Sequence, residues 1–315
     1  MNVQRGRLRV PTTEFGAYRE AYPFRRRKKM DAKALAEKFA AGTSVQQLTS
    51  PTPLQGANHV FRIWREHGTV IFKAYGTDSR LRREMHALDA LPDVPGMPVV
   101  MERGVDEAIH WAMFEDGGKW NIQSLPENPG IAEKSGEILA QLHRAEPAAF
   151  SNLARGIDQE WIAVDLRSTL RRLERYRGRL GVPAELVSAA QAVPAPYAGN
   201  PVVSHTNPVA KKFVVDDAGA VTLITWEWAT LAPPEWDLSR TTWSVGLHTG
   251  PLAASAVMAG YGRTFEPSQL DRWIVYHAAQ ALVHLAERQL SAKPADVPAN
   301  LVPEFNRAVL GAIGE

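Results

Sequence analysis

The chain has 315 residues, of which 45% are apolar and 22% are charged. This composition is ordinary for a soluble globular protein, and the length predicts one large domain or two lobes. The formal net charge of +2 excludes a strong global field, and we expect no nucleic-acid partner. The absence of cysteine excludes disulfides and zinc–thiolate sites. No run approaches the roughly 18 apolar residues of a membrane span, so we expect a cytoplasmic protein without a membrane partner.

The first 30 residues differ from the rest of the chain. They carry the basic cluster Arg25–Lys29 and no apolar periodicity. Such a cluster is typical either of a contact with an anionic surface or nucleic acid, or of a solvated, disordered tail, and we favour the tail. The polar N-terminus does not predict a secretory signal. Met30, directly before an amphipathic segment, is an alternative start of translation.

Residues 31–117 are predicted to form a small lobe of strands and helices. Alternating apolar residues indicate strands, and apolar residues at helical spacing indicate helices. In chain order the predicted elements are a helix over 31–42, strands over 60–64 and 69–75, a helix over 79–91, and strands over 97–105 and 108–116. The polar residues 65–68 between the first two strands predict a hairpin turn.

Residues 118–315 are predicted to form a larger, mainly helical lobe. Helical periodicity predicts helices over 130–147, 161–180 and 271–290. The stretch 202–240 between them is typical of a strand, a loop, a second strand, a turn and a third strand. The fold class expected from these patterns is α+β.

Short stretches of the chain follow one another in an order that resembles the aminoglycoside phosphotransferase and choline kinase family. They are LQGANHVFR, VIFKAY, RREMHAL, ILAQLHR, HTNPVAKK, ITWE and PEWDL. The resemblance extends from about Leu48 to about Leu285, and the order and spacing of the stretches support it. It implies a protein-kinase-like, two-lobed fold with a small N-terminal antiparallel-sheet lobe for the nucleotide and a larger helical lobe for catalysis and the acceptor.

By this resemblance, Lys73 would hold nucleotide phosphates and Glu84 on the following helix would pair with it. An opposite charge holds a flexible ammonium group in place, so that it meets phosphate oxygens without losing further entropy. The alternative for each residue alone is an ordinary surface position. The other nucleotide-binding residues that the resemblance implies lie in the loop over the phosphates and in the hinge beside the base. They are Gly56, Asn58, Met113 and Glu115.

The catalytic segment departs from the family pattern. Members have His-Gly-Asp, four residues and Asn, whereas this chain has His205-Thr206-Asn207, four residues and Lys212. By resemblance, His205 and Asp237 would brace the catalytic loop through hydrogen bonds. Asn207 stands where the family has the aspartate that orients the acceptor hydroxyl and takes its proton. An amide cannot take that proton, and losing general-base help typically costs about 10²–10⁴ in rate.

The two metal-ligand positions of the family also differ. Mg²⁺ prefers hard oxygen ligands such as carboxylates, but Thr225 offers a neutral hydroxyl and Lys212 offers a cation. Glu227 is a carboxylate that some choline-kinase-like members use at this position, and alone it would make a weak Mg²⁺ site. A bound Mg²⁺ is therefore doubtful, whereas ATP or another nucleotide remains an expected ligand.

We keep three hypotheses for the function, in order of preference. The first is a pseudokinase that binds a nucleotide or another ligand and acts through a protein partner or a shape change. The second is an active ATP-dependent phosphotransferase with atypical residues, acting on an antibiotic, amino alcohol or sugar hydroxyl. The third is a different transfer reaction, in which Lys73, Lys212 and Glu227 hold an altered nucleotide. The sequence contains no signature of the acceptor.

Overall fold

The structure is a computed structural model, and it describes residues 31–49, 57–91, 94–146, 150, 156–290 and 299–314. Residues 1–30, which contain the basic cluster and Met30, lie outside the described residues, as does Gly56. From Ala32 onwards, the described elements belong to one compact unit.

Five antiparallel strands form the sheet in the N-terminal part of this unit. They are β1 (Val45–Gln47), β2 (His59–Arg65), β3 (Gly68–Tyr75), β4 (Val100–Asp106) and β5 (Ile109–Glu115). Their order across the sheet is β1-β2-β3-β5-β4. The strands predicted from alternation correspond to β2 to β5. The sequence did not predict β1, because its residues Val-Gln-Gln carry no apolar alternation.

The strand register decides which side chains share the face that carries Lys73. Lys73 lies opposite Val60 on β2 and Ala112 on β5. Successive side chains of a strand point to opposite faces, so Met113 lies on the other face, opposite Phe72. Glu115, two residues later, belongs to that other face as well.

Two helices cover the two faces of the sheet. Helix α1 (Ala32–Ala40) packs on the face without Lys73, where the Phe39 ring lies 5.4 Å from that of Phe72. Helix α2 (Asp78–Asp89) packs on the Lys73 face and buries an apolar side that includes Leu81 and Met85. Glu84 lies on this same buried side of α2, three residues after Leu81, and therefore faces the strand that carries Lys73.

The rest of the chain is mainly helical. Its helices are α3 (Pro129–Leu142), α4 (Gln159–Leu180), α5 (Ala184–Ala192), α6 (Pro234–Thr249), α7 (Pro251–Tyr261), α8 (Pro267–Leu290) and α9 (Leu301–Ile313). Its short strands are β6 (Trp120–Asn121), β7 (Val202–Ser204), β8 (Phe213–Val215), β9 (Val221–Leu223) and β10 (Thr230–Ala232). Strands β6, β8 and β9 form one small sheet, and β7 and β10 form another.

The helical part is built around α8, which is buried along most of its length. Trp273 and Tyr276 of α8 pack around Trp236 of α6 with ring centroids 6.2 and 5.4 Å apart. The apolar side of α4 covers the same core. Within the described ranges, none of the helices combines the length and the apolar character that crossing a bilayer requires.

Candidate active site

An ion pair between Lys73 and Glu84 joins strand β3 to helix α2. Lys73 Nζ donates to Glu84 Oε2 at 2.5 Å, and both side chains are buried. The Tyr75 hydroxyl donates to the same oxygen at 2.7 Å, and the Trp226 backbone N–H donates to Oε1 at 3.0 Å. Burial acts to raise the pKa of Glu84, but the Lys73 charge and these hydrogen bonds outweigh it and hold the pKa below its ordinary value. Glu84 is therefore a carboxylate that fixes the position of Lys73.

Asp237 organises the loop that follows β7. It lies in the first turn of α6, where a negative charge is favoured by the helix dipole. Its two carboxylate oxygens accept from the backbone N–H groups of His205 at 2.7 Å and Thr206 at 2.8 Å. His143, at the end of α3, places Nε2 3.5 Å from the same carboxylate. Asp237 thus holds the loop backbone and is fully buried behind it.

His205 is a neutral ring within the same loop. Its Nε2 lies 3.1 Å from the Ile224 carbonyl oxygen, and its Nδ1 accepts from the Asn207 backbone N–H at 3.2 Å. These two bonds place the proton on Nε2. Burial lowers the pKa of His205 to about 4, although Asp237 acts in the opposite direction. The ring is therefore neutral at pH 7, and the lone pair of its Nδ1 positions the backbone of Asn207.

Asn207 projects toward helix α6 and is held there by an arginine. Arg240 Nε donates to Asn207 Oδ1 at 3.1 Å. Arg240 Nη1 also donates to Gln280 Oε1 at 3.1 Å and lies 3.5 Å from His277 Nδ1. The side-chain oxygen of Asn207 is thus already occupied by a cation. An amide in this setting can orient a hydroxyl through its NH₂ group but cannot accept a proton.

Lys212 and Thr225 contact each other directly. Lys212 Nζ donates to Thr225 Oγ1 at 2.9 Å. Burial, and next the positive charge of Lys73, lower the pKa of Lys212 to about 8, while Glu227 and Glu84 oppose this effect. The influence of Lys73 on Lys212 shows that the two ammonium groups belong to the same site. The carboxylates of Glu84 and Glu227 belong to the same site, because both act on Lys212.

Glu227 is hydrogen-bonded to Asn58, the residue directly before β2. Its Oε2 accepts from Asn58 Nδ2 at 2.8 Å, and Asn58 Oδ1 in turn accepts from the Gly76 N–H at 3.1 Å. The Glu227 side chain is buried. Asn58 therefore lies at the site, where it ties Glu227 to the end of β3.

The chemistry of these donors does not fit Mg²⁺. Among the residues that the structure describes, no three His, Cys, Asp or Glu side chains come together as a metal-binding group. Of the family's two ligand positions, one supplies an ammonium group and the other a hydroxyl that this ammonium already contacts. Mg²⁺ demands near-octahedral oxygen coordination, usually with one or two carboxylates. Glu227 alone, bonded to Asn58, does not supply it.

Two threonines of the site adopt left-handed backbone conformations. Thr206 has φ 66° and Thr225 has φ 76°. Such angles are outliers for β-branched residues and cost of order 1–3 kcal/mol. Hydrogen bonds hold Thr206 in place, because its hydroxyl donates to the Trp228 carbonyl at 2.9 Å and its carbonyl accepts from Trp236 Nε1 at 2.8 Å. The surrounding structure thus holds Thr206 in its conformation.

The segment after β5 is fixed by a buried ion pair. Arg62 of β2 donates to both carboxylate oxygens of Asp116, at 2.6 and 3.0 Å, and to the Gly118 carbonyl at 2.7 Å. Met113 and Glu115, which the sequence analysis assigned to the hinge, have side chains on the face opposite to Lys73. By the same register, Ala112 and Phe114 carry their side chains on the Lys73 face.

Sequence reasoning missed three residues that shape the site. Tyr75 follows Lys73 by two positions, so strand alternation could have placed it beside Glu84. Arg240 follows Asp237 by three positions, which puts both on one side of α6. Arg62 lies two residues beyond Val60 on the same face of β2, but nothing in the sequence indicates its partner Asp116.

A comparison with known protein families shows to which family the chain belongs. The model of the phosphotransferase enzyme family, named for the aminoglycoside phosphotransferases, matches residues 51–273. The chain belongs to this family. The match spans both the Lys73–Glu84 pair and the loop around Asn207. No protein of curated function matches the chain by sequence.

Solved structures show the fold. A spectinomycin phosphotransferase in complex with ADP and spectinomycin is 14% identical, covers 89% of this chain and 97% of its own, and has a TM-score of 0.62. A choline/ethanolamine kinase family protein from Mesorhizobium loti is 18% identical, with 89% and 94% coverage and a TM-score of 0.56. A macrolide 2'-phosphotransferase from Brachybacterium faecium is 15% identical, with 90% and 99% coverage and a TM-score of 0.57. The protein-kinase-like, two-lobed fold expected from the resemblance is therefore confirmed.

Proposed function

We propose that this chain is a pseudokinase of the phosphotransferase family, which binds a nucleotide polyphosphate without a divalent cation and transfers little or no phosphoryl group. The nucleotide-side lobe would comprise residues 31–117 and the acceptor-side lobe residues 118–315. The observation that carries the proposal is the 2.9 Å bond from Lys212 Nζ to Thr225 Oγ1. It joins the two positions from which the family's metal ligands would come.

The two lysines support nucleotide binding. Lys73 is held by Glu84, and Lys212 is partly buried with a pKa lowered by burial and by Lys73. Burial and the Lys73 charge disfavour the charged form of Lys212, and an anion placed between the two ammonium groups would stabilise that form. A polyphosphate carries several negative charges and would meet both ammonium groups directly. We place the base of the nucleotide beside the backbone of Met113–Asp116.

The same residues argue against efficient transfer. Phosphoryl transfer depends almost entirely on positioning and charge neutralisation around the moving group, with a metal ion bridging the phosphates. A lysine attracts phosphate as a point charge, but it does not organise the phosphates as a multidentate ion does. Asn207 cannot take the acceptor proton and is bonded to Arg240. A protein of this kind would act through a partner that recognises its nucleotide-bound form.

The direct test is a calorimetric titration of ATP with Mg²⁺ and with EDTA. We expect binding in both conditions with similar affinity, and Lys212→Asn should weaken binding in EDTA. Lys33→Asn, on the exposed side of α1, provides a matched control and should bind like the wild type. Absence of binding in both conditions, or a strict requirement for Mg²⁺, would contradict the proposal.

A second measurement addresses transfer. With Mg²⁺ and ATP, the protein should show no phosphorylation of aminoglycosides, choline or simple sugars above background. Active kinases typically turn over at about 1–100 s⁻¹. Turnover in that range on any small hydroxyl compound would overturn the pseudokinase assignment and favour an active phosphotransferase with atypical residues.

A further inference from the structure

Arg240 is a partly buried cation that has only neutral partners. Its guanidinium contacts Asn207 Oδ1, Gln280 Oε1 and His277 Nδ1. In the described part of the chain, no carboxylate oxygen lies within 4.0 Å of its nitrogens. Burial lowers the pKa of Arg240, yet an arginine remains charged at neutral pH. Buried charges in proteins are normally paired, so this guanidinium is prepared for an anion that the chain does not supply.

The acidic network that reaches Arg240 through Gln280 does not contact the guanidinium directly. Gln280 lies between Arg240 and Asp165, because its oxygen accepts from Arg240 and its nitrogen donates to Asp165 at 3.1 Å. Asp165 also accepts from the Tyr276 hydroxyl at 2.5 Å. The carboxylate is thus engaged on α4 and α8, and a neutral amide separates it from the guanidinium.

His277 is also a neutral neighbour of Arg240. Its Nε2 lies 2.9 Å from Ser239 Oγ, which itself donates to the Trp236 carbonyl. The ring therefore donates from Nε2 and presents the lone pair of Nδ1 to Arg240. Burial and the Arg240 charge both hold the pKa of His277 well below its ordinary value. Every side chain that contacts Arg240 directly is uncharged, and the Asp237 carboxylate acts on it only at longer range.

More basic residues surround the same place. Positions 280, 284 and 288 of α8 follow one another at one-turn spacing, so His284 and Arg288 continue the helix face that Gln280 begins. Burial, and after it the positive charges of Arg288 and Arg240, lower the pKa of Lys211, which is next to Lys212 in the loop. The acid on this part of α8 is Glu287, and it is bonded to Arg172 of α4 at 2.5 Å. Arg240, Lys211 and Arg288 thus place three basic groups within electrostatic reach of one another.

We propose that the cleft beside Asn207 binds a small molecule through an anionic group, a carboxylate or a phosphate monoester, with Arg240 as the central contact and Lys211 and Arg288 at its edge. The inference rests on the proposed function for the use of this cleft, and it specifies the ligand class on the acceptor side. Arg240 would bind the anion with the guanidinium edge that Asn207 and Gln280 leave available. A cationic ligand would be repelled at the same place.

Paired ligands test the charge requirement. We expect glucose 6-phosphate or malate to bind in a calorimetric titration, and glucose and glucosamine to bind at least roughly tenfold more weakly. The phosphate and carboxylate ligands are titrated separately, so that the result identifies which anion the site accepts. Equal binding of anionic, neutral and cationic ligands would overturn the inference, as would the absence of binding by both anions.

Matched variants locate the site. Arg240→Gln should weaken anion binding roughly tenfold to hundredfold, whereas Arg103→Gln on the distant strand β4 should bind like the wild type. If Arg240→Gln does not fold, the double variant Lys211→Gln with Arg288→Gln changes only exposed side chains and should weaken binding several-fold. Unchanged affinity in all folded variants would show that the anion binds elsewhere.

The nucleotide proposal can fail separately. Lys212→Asn should reduce ATP binding and leave the binding of malate or glucose 6-phosphate unchanged. Anion binding that depends on Arg240 in a protein that does not bind ATP would refute the nucleotide proposal and retain the anion site. ATP binding in a protein without an Arg240-dependent anion site would refute the anion site and retain the nucleotide proposal.

Discussion

Single residues account for the chemical difference between this chain and its family pattern. Asn207 retains the shape of an aspartate but is neutral, and Arg240 occupies its oxygen. Lys212 reverses the charge expected at a metal-ligand position, and Thr225 accepts its hydrogen bond. In the sequence, the spacing of the motifs assigned Asn207, Lys212 and Thr225 to the functional positions of the family. It could not show the role of Arg240, because a helix position three residues after Asp237 gives no information on what it contacts.

The pair formed by Asn207 and Arg240 leads to a prediction for Asn207→Asp. The new carboxylate would lie beside the guanidinium and form a charge-assisted pair. We therefore expect a melting temperature roughly 2–4 °C higher for each kcal/mol gained, with no gain of Mg²⁺-dependent phosphotransfer, since the metal-ligand positions are unchanged. Thermal unfolding and a phosphate-release assay measure the two effects. Asn207→Ala, which cannot make the pair, should be less stable than the wild type; measurable turnover in Asn207→Asp would contradict the account.

The lowered pKa of Lys212 leads to a pH prediction for nucleotide binding. At pH 7 a lysine with a pKa of about 8 is mostly charged, and at pH 9 it is mostly neutral. ATP binding in EDTA should therefore weaken as pH rises through 8, by up to roughly tenfold between pH 7 and 9, with proton uptake on binding near pH 8. Lys212→Gln should bind more weakly and lose most of this dependence. An equal pH dependence in both proteins would exclude Lys212 as its source.

At the scale of elements, close helix packing depends on glycines. A Cβ atom on Gly136 of α3 would lie 2.0 Å from the Val257 carbonyl of α7, and one on Gly260 of α7 would lie 2.0 Å from the Glu133 carbonyl of α3. The two helices therefore approach backbone to backbone. The sequence predicted α3 from its apolar spacing but missed α7, which is short, begins at a proline and has little polar–apolar contrast. Helix α6 was missed for a related reason, because it is buried on several sides and lacks a polar stripe.

Gly136→Ala should destabilise the protein strongly. The added methyl group meets a backbone oxygen and not a flexible side chain, so the two helices must separate. We expect a loss of roughly 1–3 kcal/mol or more in the free energy of unfolding, measured by urea denaturation. Gly178→Ala in α4 is the matched control, since nothing lies within 4 Å of its added Cβ. Alanine is the better helix former, so this control should gain about 1 kcal/mol; similar losses in both variants would refute the packing argument.

At the scale of the whole molecule, a few polar contacts link the sheet to the helical part. Glu84 accepts from the Trp226 backbone, Asn58 donates to Glu227, and Arg62 donates to the Gly118 carbonyl. Strands β2 to β5, helices α1 to α4 and α8, and the two-lobed arrangement could be predicted from the sequence, because periodicity and motif order are local properties. These contacts could not, because their partners are as much as 169 positions apart and depend on how the two parts meet.

Buried neutral histidines predict how the whole molecule responds to acid. Burial lowers the pKa of His205 to about 4 and that of His277 well below its ordinary value. The unfolded chain binds protons at these positions below about pH 6.5, while the native state does not, so stability falls as pH drops from about 6.5 toward 4. His205 alone corresponds to about 3 kcal/mol over this window. Urea denaturation at pH 7, 6 and 5 should show a progressive loss of stability.

Substitutions separate this effect from the titration of carboxylates. His277→Gln removes one proton-binding group, and the slope of stability against pH between 6.5 and 5 should decrease, although the variant is less stable at pH 7. His67→Gln, on the exposed turn between β2 and β3, should retain the wild-type slope. Carboxylates have ordinary pKa values near 4, so they contribute mainly at the acidic end of the window. An unchanged slope in His277→Gln would mean that its ring titrates equally in the native and unfolded states, which its burial between Ser239 and Arg240 argues against.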